Sequence, residues 1–135
     1  MHIGMVGLGK MGMNMTRRLL NGGHLVSAFA RTAKTVNEAV SFGAVSSKSL
    51  KELVATLPCP KVVWLMVPSG AATDEAIEGL MPHLSKGDII VDGGNTYYKD
   101  DLRRSETLRS RGIRYVDSGT SGGIWGLEKG YCLMV

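Results

Sequence analysis

The sequence predicts an α/β fold in which a doubly wound parallel sheet is covered by helices on both faces. Apolar, strand-like segments alternate with helix-like segments along most of the chain, which is typical of repeated βαβ units. The segment KVVWLMV at 61–67 is apolar at almost every position, as expected for a strand covered on both faces. The first apolar segment leads into a glycine cluster, GLGKMG at 7–12, which is typical of a tight turn from a strand into a helix.

Length and composition indicate one globular domain. The chain has 135 residues, of which 44% are hydrophobic and 21% charged, so it can bury a core and lacks the composition of a disordered chain. No apolar run approaches the length of a membrane span, and the N-terminus lacks the basic start and long apolar centre of a secretory signal. We therefore expect a cytoplasmic protein without membrane association.

The first half of the chain predicts three strands and three helices. The strands are expected at 2–6, 25–30 and 44–47, and the helices at 10–21, 33–41 and 49–57. Met11, Met15 and Leu19 recur four residues apart, which predicts a buried stripe on the first helix. Gly22 and Gly23 are expected to end this helix, because glycine favours the turn that follows a helix.

The second half predicts four further strands and two longer helices. The strands are expected at 61–67, 88–92, 113–117 and 131–135, and the helices at 69–84 and 97–110. Ser69 is the expected N-cap of the first of these helices, and Asp74 and Glu75 lie near its positive end. The expected buried stripe of that helix consists of Ala72, Ala76, Leu80 and Leu84.

Charge and cysteine content bear on possible partners. Much of the net charge of +4 comes from RRSETLRSRGIR at 103–114, which has no interleaved aromatic residues and no known nucleic-acid motif. We interpret this segment as a solvated helix face and expect no nucleic-acid partner, although the same charge favours phosphorylated small molecules. Cys59 and Cys132 are far apart in the sequence and do not form a metal-binding motif. Two reduced thiols are the simpler interpretation, and a single disulfide between them is the alternative.

The glycine cluster predicts a phosphate-binding turn. Gly7 permits the tight turn, a Cβ at Gly9 would block the approach of a pyrophosphate, and Gly12 lets the helix pack closely on the strand. Free N–H groups at the start of the helix would then face the phosphates. A glycine turn with a purely structural role is the alternative. The cofactor-binding residues expected from this loop are Gly7, Leu8, Gly9, Lys10, Met11 and Gly12.

An arginine stands where dinucleotide-binding folds often carry an acid. That acid follows the second strand, about 20 residues beyond the glycines, and binds the ribose 2′-hydroxyl of NAD. Here the position is occupied by Arg31, whose guanidinium can bind a 2′-phosphate bidentately. Thr32 can add a hydroxyl donor and Lys34 a second positive charge. The pattern predicts NADP as the cofactor, and an ordinary surface arginine is the alternative.

Four segments together resemble the N-terminal, coenzyme-binding domain of decarboxylating 6-phosphogluconate dehydrogenase, most closely its shorter bacterial form. They are GLGKMGMNM at 7–15, AFART at 28–32, DGGNTYYKD at 92–100 and SGTSGGIWGLEKGYCLMV at 118–135. The resemblance extends over the whole chain, and the wider relatives are the β-hydroxyacid dehydrogenases. It implies a Rossmann-like domain over residues 1–135. It also implies an enzyme that oxidises 6-phosphogluconate at C3 and decarboxylates the 3-keto acid to ribulose 5-phosphate and CO₂.

The resemblance also implies roles for individual residues. Arg31 and Thr32 would bind the 2′-phosphate, and Asn95 would lie near both nicotinamide and substrate. An amide at the carboxyl edge of a parallel sheet suits that role, because ligands of open α/β sheets bind there. The cofactor would also be lined by Val67, Pro68 and Ala71, and the sugar acid would be bound by Ser121, Gly122 and Gly123.

The chain departs from the family's pattern in two ways. Family members that use NADP often have asparagine where this chain has Ala30, so NADP is expected and NAD stays possible. The family's general acid/base lysine and its partner glutamate have no matching position, and we expect the family's all-helical C-terminal domain to be absent from this chain. We therefore expect a sheet truncated at its C-terminal end, a fragment inactive by itself, and a homo-oligomer formed through uncovered apolar surface.

Two other functions stay open at this point. The chain could belong to another β-hydroxyacid dehydrogenase, such as 3-hydroxyisobutyrate dehydrogenase, that acts on a small unphosphorylated acid. It could also be a nucleotide-binding module without catalysis, because the catalytic lysine is missing from it.

Overall fold

The structure is a computed structural model that describes residues 1–135, and a six-stranded parallel sheet forms its centre. The strands of this sheet are β1 (His2–Val6), β2 (Leu25–Phe29), β3 (Val45–Ser46), β4 (Val62–Leu65), β5 (Ile89–Asp92) and β6 (Arg114–Asp117). The helices are α1 (Lys10–Asn21), α2 (Ala33–Ser41), α3 (Leu50–Ala55), α4 (Ala71–Leu80), α5 (Tyr98–Arg109) and α6 (Gly126–Lys129). A separate antiparallel pair consists of β7 (Gly119–Ser121) and β8 (Cys132–Met134).

The strand order of the sheet is β3-β2-β1-β4-β5-β6, which confirms the predicted doubly wound arrangement. The order reverses between β1 and β4, which are paired in register with Gly4 opposite Val63 and Val6 opposite Leu65. In open α/β sheets the crevice at the carboxyl ends of such a strand pair is where ligands bind. A ligand is therefore expected at the loops that leave β1 and β4.

Two apolar clusters cover the two faces of the sheet. One cluster contains Val63, Leu65 and Ile90 from the strands, packed against Leu53 of α3, Leu80 of α4 and Leu108 of α5. The other contains Met5 and Ala28 from the strands, packed against Met13 and Met15 of α1 and Val36 of α2. Because a core lies on each face, the central strands are fixed in position on both sides.

Helix α4 differs from its prediction at both ends. Gly70, with a φ of 90°, occupies the N-cap position, so Ser69 is not the cap that the sequence predicts. The helix ends at Leu80 and continues as a single 3-10 turn, Met81–His83, that contains Pro82. Proline cannot continue the α-helical hydrogen bonding, which explains the early end. The buried residues of α4 are Thr73, Ala76, Ile77 and Leu80, whereas Ala72 and Leu84 are half-buried.

Helix α1 has the predicted bounds but a shifted buried face. Met13 and Met15 are buried together with Gly12 and Thr16, whereas Met11 and Leu19 are only half-buried. Gly12 is part of this buried face because it packs against the turn at Gly7 and against Met66, with no space for a Cβ.

The sequence predicts that the final strand, at 131–135, continues the parallel sheet, and this prediction is wrong. β8 does not join the parallel sheet, since it pairs antiparallel with β7, a strand that the sequence did not predict. Gly122 and Gly123 have positive φ values of 133° and 49° and turn the chain out of β7. The connection is bound to α1, because Arg18 Nη1 donates to the carbonyl oxygen of Leu127 at 3.1 Å.

Two predictions about the surface are resolved here. Cys59 and Cys132 are both exposed and form no disulfide. Within the basic segment, Arg103 is exposed but Arg104 is only 2% exposed, so the interpretation of that segment as a fully solvated face is wrong at Arg104.

None of the helices combines the length and apolar character that crossing a membrane requires.

Candidate functional site

The carboxyl ends of the central strands are tied to one another and form a common edge. Backbone N–H groups just beyond the strands donate to neighbouring strands: Gly7 to Phe29 at 2.9 Å, Met66 to Val6 at 2.7 Å, Gly93 to Leu65 at 2.9 Å and Ser118 to Asp92 at 2.8 Å. The loops that leave β1, β4, β5 and β6 therefore start at the same edge of the sheet, as expected for a ligand-binding crevice.

A cleft of about 350 Å³ opens at this edge where the strand order reverses. It brings together residues from the loops after β1, β2 and β4. Residues that the sequence predicted for a cofactor site and that line this cleft are Gly7, Leu8, Gly9, Arg31, Thr32, Val67 and Pro68. The lining residues that sequence reasoning did not assign to the cofactor are Val6, Phe29, Ala30, Thr35 and Met66. A position at the end of a strand is the one signal that could have indicated Val6, Phe29 and Met66.

The three glycines of the first loop lie in different surroundings, and packing requires only two of them. A Cβ on Gly7 would overlap the carbonyl group of Met66, and the φ of Gly7 is 94°. A Cβ on Gly12 would overlap the carbonyl oxygen of Gly7, so this glycine allows α1 to start directly against the turn. A Cβ on Gly9 would meet no atom within 4 Å. Gly9 is therefore free of any packing requirement, and the open space above it faces the cleft that it lines.

Lys10 and Met11 lie in the first turn of α1 but face differently. Lys10 is exposed and lines a second, polar cleft of about 360 Å³ next to Leu8 and Gly9. Ile124, which follows the turn after β7, lines the same cleft. Met11 is half-buried and lines neither cleft. The glycine loop and the segment after β7 are thus neighbours.

The first turns of α1 and α2 differ in charge from those of α3, α4 and α5. Acidic residues, which the helix dipole favours at this end, occur in the first turns of α3, α4 and α5, as Glu52, Asp74 and the pair Asp100 and Asp101. The first turns of α1 and α2 contain no acid, and they carry Lys10 and Lys34. Both of these helices begin at the cleft, so their N-termini favour an anionic ligand there.

Arg31 is exposed at the edge of the cleft and is not paired with any carboxylate of the chain within 4.0 Å. The Thr32 hydroxyl is 2.7 Å from that of Thr35, one donating to the other. Thr32 is also the N-cap residue of α2, although its side chain caps no backbone N–H group. An unpaired guanidinium beside two hydroxyl groups and a helix N-terminus is suited to a phosphate group.

A smaller compartment of about 180 Å³ adjoins Arg31 on the side of α4. Its lining includes Val6, Phe29, Leu50, Val67, Ala72 and Ala76, with Arg31, Pro68 and Glu75 also present. Ala71, which the resemblance places at the cofactor, is exposed at the start of α4 and lines neither this compartment nor the larger cleft. The compartment suits a flat apolar group next to a charged one.

Asn95 lies at the same edge, in the loop after β5. Its side chain is exposed, and its Oδ1 atom is 3.6 Å from the position of a Cβ built on Gly119 of β7. The loop is held from below by Asp92: Gly94 N–H donates to Asp92 Oδ1 at 2.9 Å, and the Thr96 hydroxyl donates to Asp92 Oδ2 at 3.0 Å. The structure therefore brings Asn95 next to the β7 segment, and Asp92 is the anchor that sequence reasoning missed.

Ser121, Gly122 and Gly123 are exposed at the end of β7 and do not line the cleft at β1 and β4. The Tyr131 hydroxyl donates to the carbonyl oxygen of Gly123 at 3.4 Å, which links the turn to the chain before β8. Burial raises the pKa of Tyr131, so the hydroxyl stays protonated as a donor. The turn thus has a defined position beside α1, with its own backbone facing outward.

Sheets with this strand order bind dinucleotides across the crevice at the reversal point, and the molecule is in that sense a Rossmann-type dinucleotide-binding domain. The particular family follows from comparison with known proteins. The family model of the NAD-binding domain of 6-phosphogluconate dehydrogenase matches residues 2–135, and the chain belongs to this family. This confirms the resemblance found in the sequence.

Individual relatives agree with this assignment. The chain is 43% identical to the NAD⁺-dependent, decarboxylating 6-phosphogluconate dehydrogenase of Haloferax volcanii, over 100% of this chain and 44% of the relative. It superposes with a TM-score of 0.92 on Plasmodium falciparum 6-phosphogluconate dehydrogenase, a structure that includes a complex with NADP⁺, at 31% identity over 99% of this chain and 30% of that one.

A structure from the wider group of enzymes is also similar. The 3-hydroxyisobutyrate dehydrogenase of Mycobacterium tuberculosis gives a TM-score of 0.84 at 26% identity, over 93% of this chain and 42% of that one. The chain spans less than half the length of each of these three proteins.

Proposed function

We propose that this domain binds NADP in the cleft at β1 and β4 and serves the oxidative decarboxylation of 6-phosphogluconate to ribulose 5-phosphate and CO₂. The observation that carries the cofactor proposal is Arg31, which is exposed at the cleft without an acidic partner. A carboxylate there would repel a 2′-phosphate, whereas an unpaired guanidinium attracts it. Both NAD- and NADP-dependent proteins occur among the relatives, and NAD is the alternative cofactor that the titration below compares with NADP.

The residues present fit the cofactor in several places. The open space at Gly9 and the acid-free first turn of α1 suit the pyrophosphate, with Lys10 as a nearby positive charge. Arg31 and Thr32 would bind the 2′-phosphate. The remaining residues that we assign to the cofactor are Gly7, Leu8, Met11, Gly12, Val67, Pro68, Ala71 and Asn95. When bound, NADP would accept the hydride that leaves C3 of the sugar acid.

The substrate would lie between the loop after β5 and the turn after β7. Support comes from the position of Asn95 beside Gly119, because these two segments then border one space. Asn95 can orient a hydroxyl or carboxylate through its amide, and the turn at Ser121, Gly122 and Gly123 offers a hydroxyl and exposed backbone groups. We assign these four residues to 6-phosphogluconate.

Proton transfer in this reaction needs a general acid and base that we do not find in this chain. We propose that they belong to an all-helical C-terminal domain of a longer protein, and that the 135-residue chain binds coenzyme without turnover. Exposed apolar side chains on the β7–β8 segment, such as Trp125 at 64% and Met134 at 64%, support self-association. Two free thiols fit a reducing, cytoplasmic location.

Calorimetric titration of the chain with NADP and NAD tests the cofactor assignment. We expect NADP to bind more tightly by about 1–3 kcal/mol, the range for charge-assisted pairing with one phosphate. Arg31→Ala should remove this difference and leave NAD binding unchanged. Arg111→Ala is the matched control, since Arg111 is exposed, unpaired and remote from the cleft. Equal affinity for the two cofactors in the unmodified chain would contradict the assignment.

A dehydrogenase acting on a small unphosphorylated acid is the second candidate, favoured by the similarity to 3-hydroxyisobutyrate dehydrogenase. Formation of reduced cofactor by the full-length enzyme, with 6-phosphogluconate and with 3-hydroxyisobutyrate, separates the two. A nucleotide-binding module without catalysis would form none with either substrate.

A further inference from the structure

A buried arginine lies behind the carboxyl edge and contacts the supports of two of its loops. Arg104 of α5 is 2% exposed. Its Nε donates to Asp74 Oδ1 at 2.8 Å, and its Nη2 donates to the carbonyl oxygen of Gly70 at 3.1 Å. On the other side, Nη1 is 3.7 Å from Asp92 Oδ2 and 3.5 Å from Asp101 Oδ1. One guanidinium therefore spans the ends of β4 and β5.

The contacts on the β4 side control the start of α4. The Gly70 carbonyl oxygen also accepts from the backbone N–H groups of Thr73 and Asp74, so Arg104 donates to the group around which the first turn is formed. Gly70 closes the short loop 67–70, whose Val67 and Pro68 line the cleft. Holding Gly70 therefore holds the β4 wall of the proposed cofactor site.

The contacts on the β5 side reach the anchor of the loop that contains Asn95. Asp92 is fully buried and accepts from Gly94 N–H and from the Thr96 hydroxyl. The Tyr115 hydroxyl lies within hydrogen-bond distance of both carboxylates, 3.0 Å from Asp92 Oδ2 and 2.7 Å from Asp101 Oδ1, and shares its one hydrogen between them. Arg104 is the cation nearest to this buried pair of carboxylates, and its charge offsets theirs at 3.5–3.7 Å.

We propose that Arg104 is a positioning residue that sets the loop 67–70 and the loop 93–95 relative to each other. A residue needed only for stability would not have to be charged, because apolar replacements of a buried ion pair are often neutral or stabilising. Retaining a buried guanidinium here is explained by its two kinds of contact: it donates hydrogen bonds to Asp74 and Gly70 on the β4 side, and its Nη1 faces the carboxylates of Asp92 and Asp101 as an ion pair on the β5 side. A site that binds two ligands in a fixed relation requires such support.

The proposal rests on the proposed function only for what the two loops bind, and its first test needs no ligand. Hydrogen–deuterium exchange of the free chain would be followed in peptides that cover 66–74 and 93–97. Arg104→Lys keeps the charge but cannot reach both supports, so exchange should rise at least tenfold in both peptides. Leu108→Ala is the matched control, because Leu108 is a buried residue of the same helix that belongs to the apolar core.

A second variant keeps the test decisive if Arg104→Lys does not fold. Asp74→Asn removes the charged partner of Nε, so exchange should rise in 66–74 and stay unchanged in 93–97. Exchange that rises in neither peptide, or that rises equally in Leu108→Ala at matched loss of Tm, would overturn the proposal.

Coenzyme binding provides a separate readout. If the chain binds NADP, Arg104→Lys should weaken it about tenfold while Leu108→Ala has no comparable effect, and equal weakening in both would count against Arg104. If the unmodified chain binds neither NADP nor NAD, the proposed cofactor function fails, and the exchange measurements still decide the role of Arg104.

Discussion

The α-carbon of Gly12 lies so close to the carbonyl oxygen of Gly7 that a methyl group on Gly12 would overlap it. The oxygen belongs to the backbone of the tight turn and cannot rotate away, as the end of a side chain could. Helix α1 can therefore start this close to the turn only because residue 12 is a glycine. The same close packing sets the direction in which the first N–H groups of α1 point.

Gly12→Ala should destabilise the chain by about 1–3 kcal/mol, the usual cost of overpacking, as measured by urea unfolding. Gly79→Ala is the control, since Gly79 also lies in a helix but its added Cβ would meet only the flexible end of Leu50. That substitution should be neutral or stabilising, because alanine is a better helix former than glycine by about 1 kcal/mol. A Gly12→Ala chain as stable as the unmodified one would contradict the packing described here.

Gly9→Ala separates a structural role of the glycine loop from a binding role. No atom lies within 4 Å of a Cβ at this position, and the φ of −65° suits alanine, so stability should change by less than about 0.5 kcal/mol. If a pyrophosphate approaches the backbone here, the affinity for NADP and NAD should fall at least tenfold in calorimetric titration. Unchanged affinity for both would place the phosphates elsewhere.

The parts of the fold that sequence reasoning predicted correctly are those with a local signal. The turn from β1 into α1 at the glycine cluster and the apolar strand β4 both depend on neighbouring residues, and the structure has both, with β4 at Val62–Leu65 within the predicted 61–67. β7 is short and rich in glycine and serine, so it carries no alternating pattern, and the pairing of β8 with it could not be anticipated. The positive φ of Gly70 is likewise not visible in a sequence.

The candidate site shows the same division. Arg31 can be proposed from the sequence alone, because a βαβ unit fixes its distance from the glycine cluster. The sequence predicts that Arg104 is part of a solvated basic segment. It is instead buried, since it pairs with Asp74 and Asp92, which are distant in sequence. Pairing between charged residues that are distant in sequence leaves no periodic pattern. The network around Arg104 therefore could not be predicted and is seen only in the structure.

Ser49 is an N-cap that the structure supports, in contrast to Ser69. The Ser49 hydroxyl oxygen accepts from the Glu52 backbone N–H at 3.1 Å, whereas Ser69 precedes the capping position of α4 and caps nothing. Ser49→Ala should therefore cost about 1 kcal/mol, and Ser69→Ala should change stability by less than about 0.5 kcal/mol. Urea midpoints of the two variants compare them directly. Equal effects would contradict the assigned start of α4.

Asp74 and Asp117 should affect the pH dependence of stability with opposite signs. The hydrogen bond from Arg104 lowers the pKa of Asp74 below its ordinary value of 3.8. Burial raises the pKa of Asp117 above that value, and the nearby charges of Asp101 and Asp92 add to the increase. Ionised Asp74 therefore stabilises the folded chain above pH 3.8, and this contribution is lost as the pH falls through its lowered folded pKa. Ionised Asp117 destabilises the folded chain, and this penalty disappears as the pH falls through its raised folded pKa towards 3.8.

Urea unfolding of Asp74→Asn and Asp117→Asn between about pH 7 and pH 2.5 tests this pair. At pH 7 the first variant should be less stable than the unmodified chain and the second more stable. The Asp117→Asn difference should vanish first on acidification, because the raised pKa of Asp117 is passed before the lowered pKa of Asp74. The Asp74→Asn difference should persist below pH 3.8 and close only near the acid end. If it closed above pH 3.8, Arg104 would not hold the pKa of Asp74 down, and the ion pair that links α4 to α5 would contribute little.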